Sequence, residues 1–225
     1  MPRLLRLNLP NIPQHVVQRG NNKQACFITD QDRLFYLSRL KQYSHQFRVK
    51  IHAYVLMTNH VHLLVTPEID KGVSLLMQYL GRSYVQYFNK KHKRTGTLWE
   101  GRFKASLVDS EVYFLIVSRY IELNPVRANM VNMAEDYRWS SYGTNAFGHN
   151  DELISKHPIM LSLGASINEQ TSAYRLLFQD IISLPLIDNI RKAVNKSQPL
   201  ASKEFITHLT ELTGHKVCSG THGGD

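Results

Sequence analysis

Cysteine is nearly absent from this 225-residue sequence: there are two, Cys26 and Cys218, far apart and in no metal-type spacing. They give no basis for a disulfide framework or a cysteine-built zinc site, and they read as plain thiols in a reduced, cytoplasmic compartment. No apolar run reaches membrane-spanning length, and the first ten residues lack the continuous apolar stretch of a signal peptide. A membrane partner is therefore not expected. Internal repeats are absent too. Acidic residues are scarce where basic ones are plentiful: residues 1–150 hold 20 Lys/Arg against 10 Asp/Glu, whereas residues 151–225 hold 7 against 8. The net charge of +9 thus comes wholly from the first part. That points this part towards a polyanion, most simply nucleic acid. The rest of the composition, 43% hydrophobic and 20% charged, is that of a globular chain long enough for one full core, or a core domain with a smaller appendage.

The stretch Tyr54-Val-Leu-Met-Thr-Asn-His-Val-His-Leu-Leu-Val65 reads as two apolar strands, 49–57 and 60–66, joined by a tight Thr58-Asn59 corner. Side chains alternate along a strand, so His60 and His62 share one face while Val61, Leu63 and Val65 enter a core on the other. Two neutral imidazoles two residues apart can share a metal ion. With eleven histidines in the chain, about half such a pair arises by chance, so the pair needs support from elsewhere.

Around it, residues 13–19 form a short strand broken by Gly20-Asn21-Asn22. Thr29-Asp30 caps a helix over about 30–47, and a second helix spans 71–92 with Val73, Leu76, Met77, Leu80, Tyr84, Tyr87 and Phe88 on one stripe. A strand at 103–108 and a third helix at 111–123 follow. Asn124-Pro125 stops that helix, because the residue before proline disfavours the α region, and a short helix from Val126 to Met130 comes next. The order β-α-β-β-α-β predicts an α+β fold of the ferredoxin-like, split-βαβ type: an antiparallel sheet with helices on one face. Residues 137–166 look like loop. Helices near 168–182, 186–196 and 202–213 form a small C-terminal extension, with Gly214 as a C-cap and a disordered tail from Gly220 to Asp225. The division expected is a catalytic domain over 1–142 and an extension over 143–225.

Two further constellations stand out. On the third helix Tyr120 and Asn124 lie one turn apart, so a phenol and an amide can face whatever lies above the sheet. The simpler reading is a core stripe that happens to contain tyrosine. Between residues 82 and 104 there are seven cations, Arg82, Lys90, Lys91, Lys93, Arg94, Arg102 and Lys104, against one acid, Glu100. Trp99 and Phe103 are interleaved with them. Cations neutralise phosphates and aromatic rings stack on unpaired bases, although both aromatics could equally be core.

Three segments carry a family resemblance: residues 54–64 around the histidine pair, Gly96-Thr-Leu-Trp-Glu-Gly-Arg-Phe-Lys104, and Arg119-Tyr-Ile-Glu-Leu-Asn-Pro-Val-Arg-Ala-Asn-Met-Val131. Together they resemble the single-tyrosine transposases of the His-hydrophobic-His (HUH) nuclease superfamily, and most nearly the repeat-associated tyrosine transposases. The resemblance covers about residues 10–142. Two positions depart from it: Thr58 stands where relatives often have proline, and Asn129 where they often have glycine. Asparagine tolerates the left-handed conformation, so the helix end can survive there.

The resemblance implies that His60 and His62 are paired metal ligands, that Asn124 is a third ligand through its amide oxygen, and that Tyr120 is the nucleophile. The implied enzyme cleaves and rejoins single-stranded, hairpin-associated DNA through a 5′-phosphotyrosine, which keeps the ester bond energy for rejoining. Imidazole ligands alone would suggest zinc or another transition metal, whereas the resemblance points to Mg²⁺ or Mn²⁺. Arg19, Arg82, Lys90, Lys91, Arg94, Trp99, Arg102 and Lys104 are the candidate DNA contacts, and relatives build their sites from one subunit or from two, which leaves a homodimer open. A protein of this kind would work in the cytoplasm, at the nucleoid. Two other classes fit the bare residues: a non-catalytic single-stranded nucleic-acid-binding protein on the same fold, and an unrelated metal hydrolase that forms no covalent adduct.

Overall fold

The computed structural model describes residues 9–214 and 217. Cys218, the tail from Gly220 and most of the N-terminal segment considered as a leader lie outside them.

Seven apolar or alternating segments and their turns set the frame. Strand β1 (Gln14–Arg19) leads to helix α1 (Asp30–Gln46), the hairpin β2 (Val49–Leu56) and β3 (His60–Pro67), helix α2 (Gly72–Lys91), strand β4 (Lys104–Leu107) and helix α3 (Ser110–Glu122). The strands form one antiparallel sheet in the order β2-β3-β1-β4. This is the expected ferredoxin-like arrangement. On α2, Leu76, Leu80, Tyr84 and Phe88 recur every four residues and are fully buried. With Tyr36 and Leu40 of α1 they cover the sheet face that carries Val61, Leu63 and Val65.

Asp32 ties the two helices together. Its Oδ2 accepts the amides of Ile28 and Thr29 at 2.9 and 2.8 Å, satisfying free donors at the start of α1. Its Oδ1 accepts from Lys91 Nζ at 2.7 Å, at the end of α2.

The opposite sheet face is covered as well. Helix α3 crosses β2 and β3, while α8 (Leu184–Lys196) lies against β4 and β1. The expectation of helices on one face thus describes α1 and α2, and α3 with the C-terminal helices makes a second layer. Tyr174, Ile187 and Ile190 belong to the same hydrophobic core as the sheet, so that core runs on across residue 142.

Several boundaries differ from expectation. The short helix after α3 is α4 (Asn124–Arg127), not 126–130. Pro125 sits in its first turn, where a missing N–H costs nothing. Asn129 follows in the left-handed region (φ 53°), the conformation its amide side chain tolerates. The segment expected as loop holds α5 (Tyr142–Phe147) and α6 (Pro158–Leu161). Helix α7 (Ile167–Leu176) is shorter than the expected 168–182, and α9 (Lys203–Thr213) ends on Gly214 at φ +67°.

Among the described residues no helix is long and apolar enough to cross a membrane.

Candidate active site

Sheet register assembles one wall of the site. Arg19 pairs with His60 and Val17 with His62 across β1 and β3, and Val17 also pairs with Lys104 of β4. Directly paired residues share a face, so Arg19, His60, His62, Val17 and Lys104 project together, away from α1 and α2. The rings of His60 and His62 meet edge to face at 5.0 Å. The corner before them is held from outside: Gly20 N donates to Asn59 O at 2.8 Å, and the Cys26 and Phe27 amides donate to Thr58 O. Gly20 is required there, because a Cβ would lie 2.3 Å from Gln24 O.

Helix α3 supplies the second wall. Its packing across the histidine face brings the Tyr120 ring 5.9 Å from His62 and 5.8 Å from His15, edge-on to both. Asn124 lies one turn further on. A cleft of about 580 Å³ is lined by His60, His62, Tyr120 and Asn124, all from one chain. Arg19, Arg102 and Lys104 line it too, with Glu100 as the one acid. The third wall is α8, which presents Arg191, Val194 and Asn195. Lys104 Nζ donates to Asn195 Oδ1 at 2.9 Å, joining the sheet edge to that helix.

Burial, reinforced by neighbouring cations, keeps the imidazoles neutral. Desolvation and then Arg19 lower His60 to about 4, and desolvation with Arg127 lowers His15 to about 3. His62 is depressed well below its ordinary value by burial first, then by His15, His60, Arg127 and Arg19. Neutral rings keep a lone pair available. Two imidazoles and one amide oxygen therefore form a donor set without charge, which fits a divalent cation that brings its positive charge undiminished to a phosphate. Among the described residues no three His, Cys, Asp or Glu side chains are placed to hold a metal ion together, and the Asn124 amide is a further oxygen donor lining the cleft.

The candidate DNA contacts divide. Arg19, Arg102 and Lys104 are in the cleft. Arg82 and Lys90 are exposed on α2, behind the sheet. Lys91 is engaged by Asp32 and Thr29, and Arg94 reaches Gln24 and covers the Phe88 ring. Trp99 needs correction as a stacking platform: it is 7% exposed, with its ring 5.8 Å from Tyr84, and Phe103 is equally buried. Of the two readings open for these aromatics, the core one holds.

Three features went unread in the sequence. His15 Nε2 lies 2.8 Å from His62 Nδ1, which only the β1–β3 register reveals. Arg127 covers the Tyr120 ring, and its spacing from Tyr120 and Asn124 was a usable signal because 120, 124 and 127 share a helical face. Arg191 and Asn195 enter through tertiary packing of α8, for which no local signal exists.

The wider chain is similar to known proteins. The family model for IS200-like transposases matches residues 8–124. A Haemophilus influenzae protein described as a REP-associated tyrosine transposase is 27% identical over 132 residues, which is 54% of this chain and 74% of that protein. The solved structure of a REP-associated tyrosine transposase bound to a REP hairpin aligns with a TM-score of 0.54 at 18% identity, covering 70% of this chain and 93% of that one, a likeness of fold. With more than half of its length matched by the family model, the chain belongs to the IS200-like transposases.

Proposed function

We propose that this chain cleaves and rejoins single-stranded DNA beside hairpins, with Tyr120 as nucleophile and a divalent cation, Mg²⁺ or Mn²⁺, held by His60, His62 and Asn124. The observation that carries the reading is the convergence of these four side chains on one cation-lined cleft. Arg19, Arg102, Lys104 and Arg191 bind the phosphates and bring one phosphodiester to the Tyr120 hydroxyl. A bond forms between the phenol oxygen and phosphorus, and the bond from phosphorus to the 3′ oxygen breaks. The phenol proton leaves to solvent and the departing 3′ oxygen takes one up, giving a 5′-phosphotyrosine and a free 3′-hydroxyl. Attack by a 3′-hydroxyl reverses the step and releases Tyr120. When bound, the cation would polarise a phosphate oxygen and offset the charge that develops on it. Arg127 holds the phenol ring against the histidines throughout. Because α8 lines the cleft in the same chain, the C-terminal part covers the site, and its near-neutral charge suits a wall better than a main DNA-binding surface.

The test is a denaturing gel after incubation of the protein with single-stranded hairpin DNA and Mn²⁺. A covalent protein–DNA adduct is expected, and Tyr120→Phe abolishes it. An adduct that survives Tyr120→Phe removes Tyr120 from its role. Cleavage without an adduct turns the reading into a metal hydrolase, and binding without cleavage turns it into a non-catalytic single-stranded DNA binder.

A further inference from the structure

Two side chains that have no part in the reaction proposed above touch the backs of the two histidines. His60 Nδ1 lies 2.6 Å from Asn59 Oδ1. The orientation of that amide is set at its other end, where Nδ2 donates to the Lys23 carbonyl at 3.0 Å. An amide oxygen only accepts, so the proton of the first bond sits on His60 Nδ1 and the lone pair of the neutral ring is on Nε2. His62 Nδ1 lies 2.8 Å from His15 Nε2, with both residues buried. One proton serves those two nitrogens. If it resides on His62, then His62 Nε2 carries a lone pair. If it resides on His15, then His62 Nε2 carries a hydrogen and cannot take a cation. A positive charge at His62 Nε2 selects the first arrangement, and His15 is the group able to receive the bond.

We infer that Asn59 and His15 are positioning residues that hold His60 and His62 as Nδ1–H tautomers, so that both rings present Nε2 to one cation. The inference rests on the ligand roles proposed for these two histidines. It assigns a purpose to a buried histidine on β1 and to an asparagine at the corner, neither of which meets DNA in the proposed reaction. Partners of this kind fix ring orientation and raise ligand basicity, and losing one weakens metal affinity about ten- to a hundredfold.

The experiment measures Mn²⁺ affinity of the full chain by calorimetry, without DNA, beside far-UV circular dichroism and long-range ¹H–¹⁵N correlation spectra of the imidazoles with Mg²⁺. Asn59→Ala and His15→Phe are expected to weaken Mn²⁺ binding about ten- to a hundredfold with unchanged secondary structure. Asn59→Asp and His15→Gln, which keep an acceptor, are expected to restore most of it. The spectra should show His60 and His62 as Nδ1–H tautomers. Either ring as Nε2–H in the Mg²⁺ form overturns the inference. So does wild-type affinity in Asn59→Ala and His15→Phe when His60→Ala abolishes binding, an outcome that leaves the ligand reading intact. If the wild-type chain takes up neither ion, the ligand reading itself falls.

Discussion

The guanidinium of Arg127 lies over the ring of Tyr120, with Cζ 4.1 Å from the ring centroid, and its Nη2 donates to the Tyr120 carbonyl at 2.6 Å. One side chain therefore clamps both the ring and the backbone of the proposed nucleophile. The other terminal nitrogen, Nη1, is buried without a protein partner and keeps hydrogens to offer. A planar cation stacked on a phenol is a geometry that arginine supplies and lysine does not.

Arg127→Ala is expected to slow covalent adduct formation roughly ten- to a hundredfold in single-turnover assays with saturating hairpin DNA and Mn²⁺. Arg127→Lys should recover little of that loss, because it restores charge without the stack. Hairpin affinity, read by fluorescence anisotropy, should move by no more than a few-fold. An unchanged rate in Arg127→Ala would remove the clamp from the chemistry.

The split of the basic residues across the sheet predicts two classes of DNA-binding variant. Alanine at Arg19, Arg102 or Arg191, which line the cleft, should weaken single-stranded DNA binding and lower the slope of log affinity against log salt by roughly 0.7 each. Alanine at Arg82 or Lys90, exposed on α2, should leave both quantities unchanged. Equal effects from the two groups in a salt titration would mean that DNA also crosses the back of the sheet.

Asp32 has a stability role that makes its loss costly. Burial disfavours its charge, but hydrogen bonds from Lys91, the Thr29 and Ile28 amides and His92 outweigh that and hold its carboxyl well below the usual range. A depressed carboxylate stabilises the fold above its unfolded value of about 4 and loses that contribution as pH falls through the folded value. Asp32→Ala should cost about 3 kcal/mol at neutral pH, the scale of breaking a buried pair, and should flatten the acid limb of stability in urea melts. Lys91→Ala should lower stability too, by less, and leave DNA affinity alone.

The Glu122 carboxylate joins α3 to the later helices. Ser141 and Asn145 donate to its Oε1 at 2.5 and 2.8 Å, and the Tyr174 hydroxyl donates to Oε2 at 2.8 Å. Burial pushes this carboxyl up to about 7 although all three bonds oppose that. Glu122→Ala removes the acceptor shared by three buried donors, of which Asn145 keeps the His52 carbonyl and Ser141 the Tyr54 carbonyl. It should destabilise by about 3 kcal/mol in urea denaturation, whereas Glu122→Gln should cost less than half as much. A chain cut after residue 142 loses two of those donors and α8 together. It should fail to give a cooperative thermal transition, and a sharp one would make 1–142 an independent folding unit.

The sheet was legible because its code is local. Period-two alternation around Val61, Leu63 and Val65, and the four-residue spacing of Leu76, Leu80, Tyr84 and Phe88, fixed faces as well as elements. His60, His62, Tyr120 and Asn124 were found through short motifs, and α3 brings them together. What stayed hidden depends on contacts between distant segments. His15 meets His62 because of strand register, and Arg191 faces the cleft because α8 docks on β4 and β1. The aromatics of the 96–104 segment misled in the other direction: a tryptophan between cations looks the same in sequence whether its ring faces DNA or Tyr84. Short α5 and α6 were lost in a stretch rich in glycine, serine and proline, where their ends carry as much signal as their bodies.

The corner ahead of the histidines has a consequence for how far a small change reaches. Position 20 contacts neither the cleft nor the later helices, yet its amide holds Asn59 and its missing side chain leaves room for Gln24 O. Adding one methyl group there meets Gln24 O at 2.3 Å and strains the turn whose amide holds the Asn59 carbonyl, in the peptide that carries His60. A single methyl group outside the cleft therefore bears on the placement of a proposed ligand.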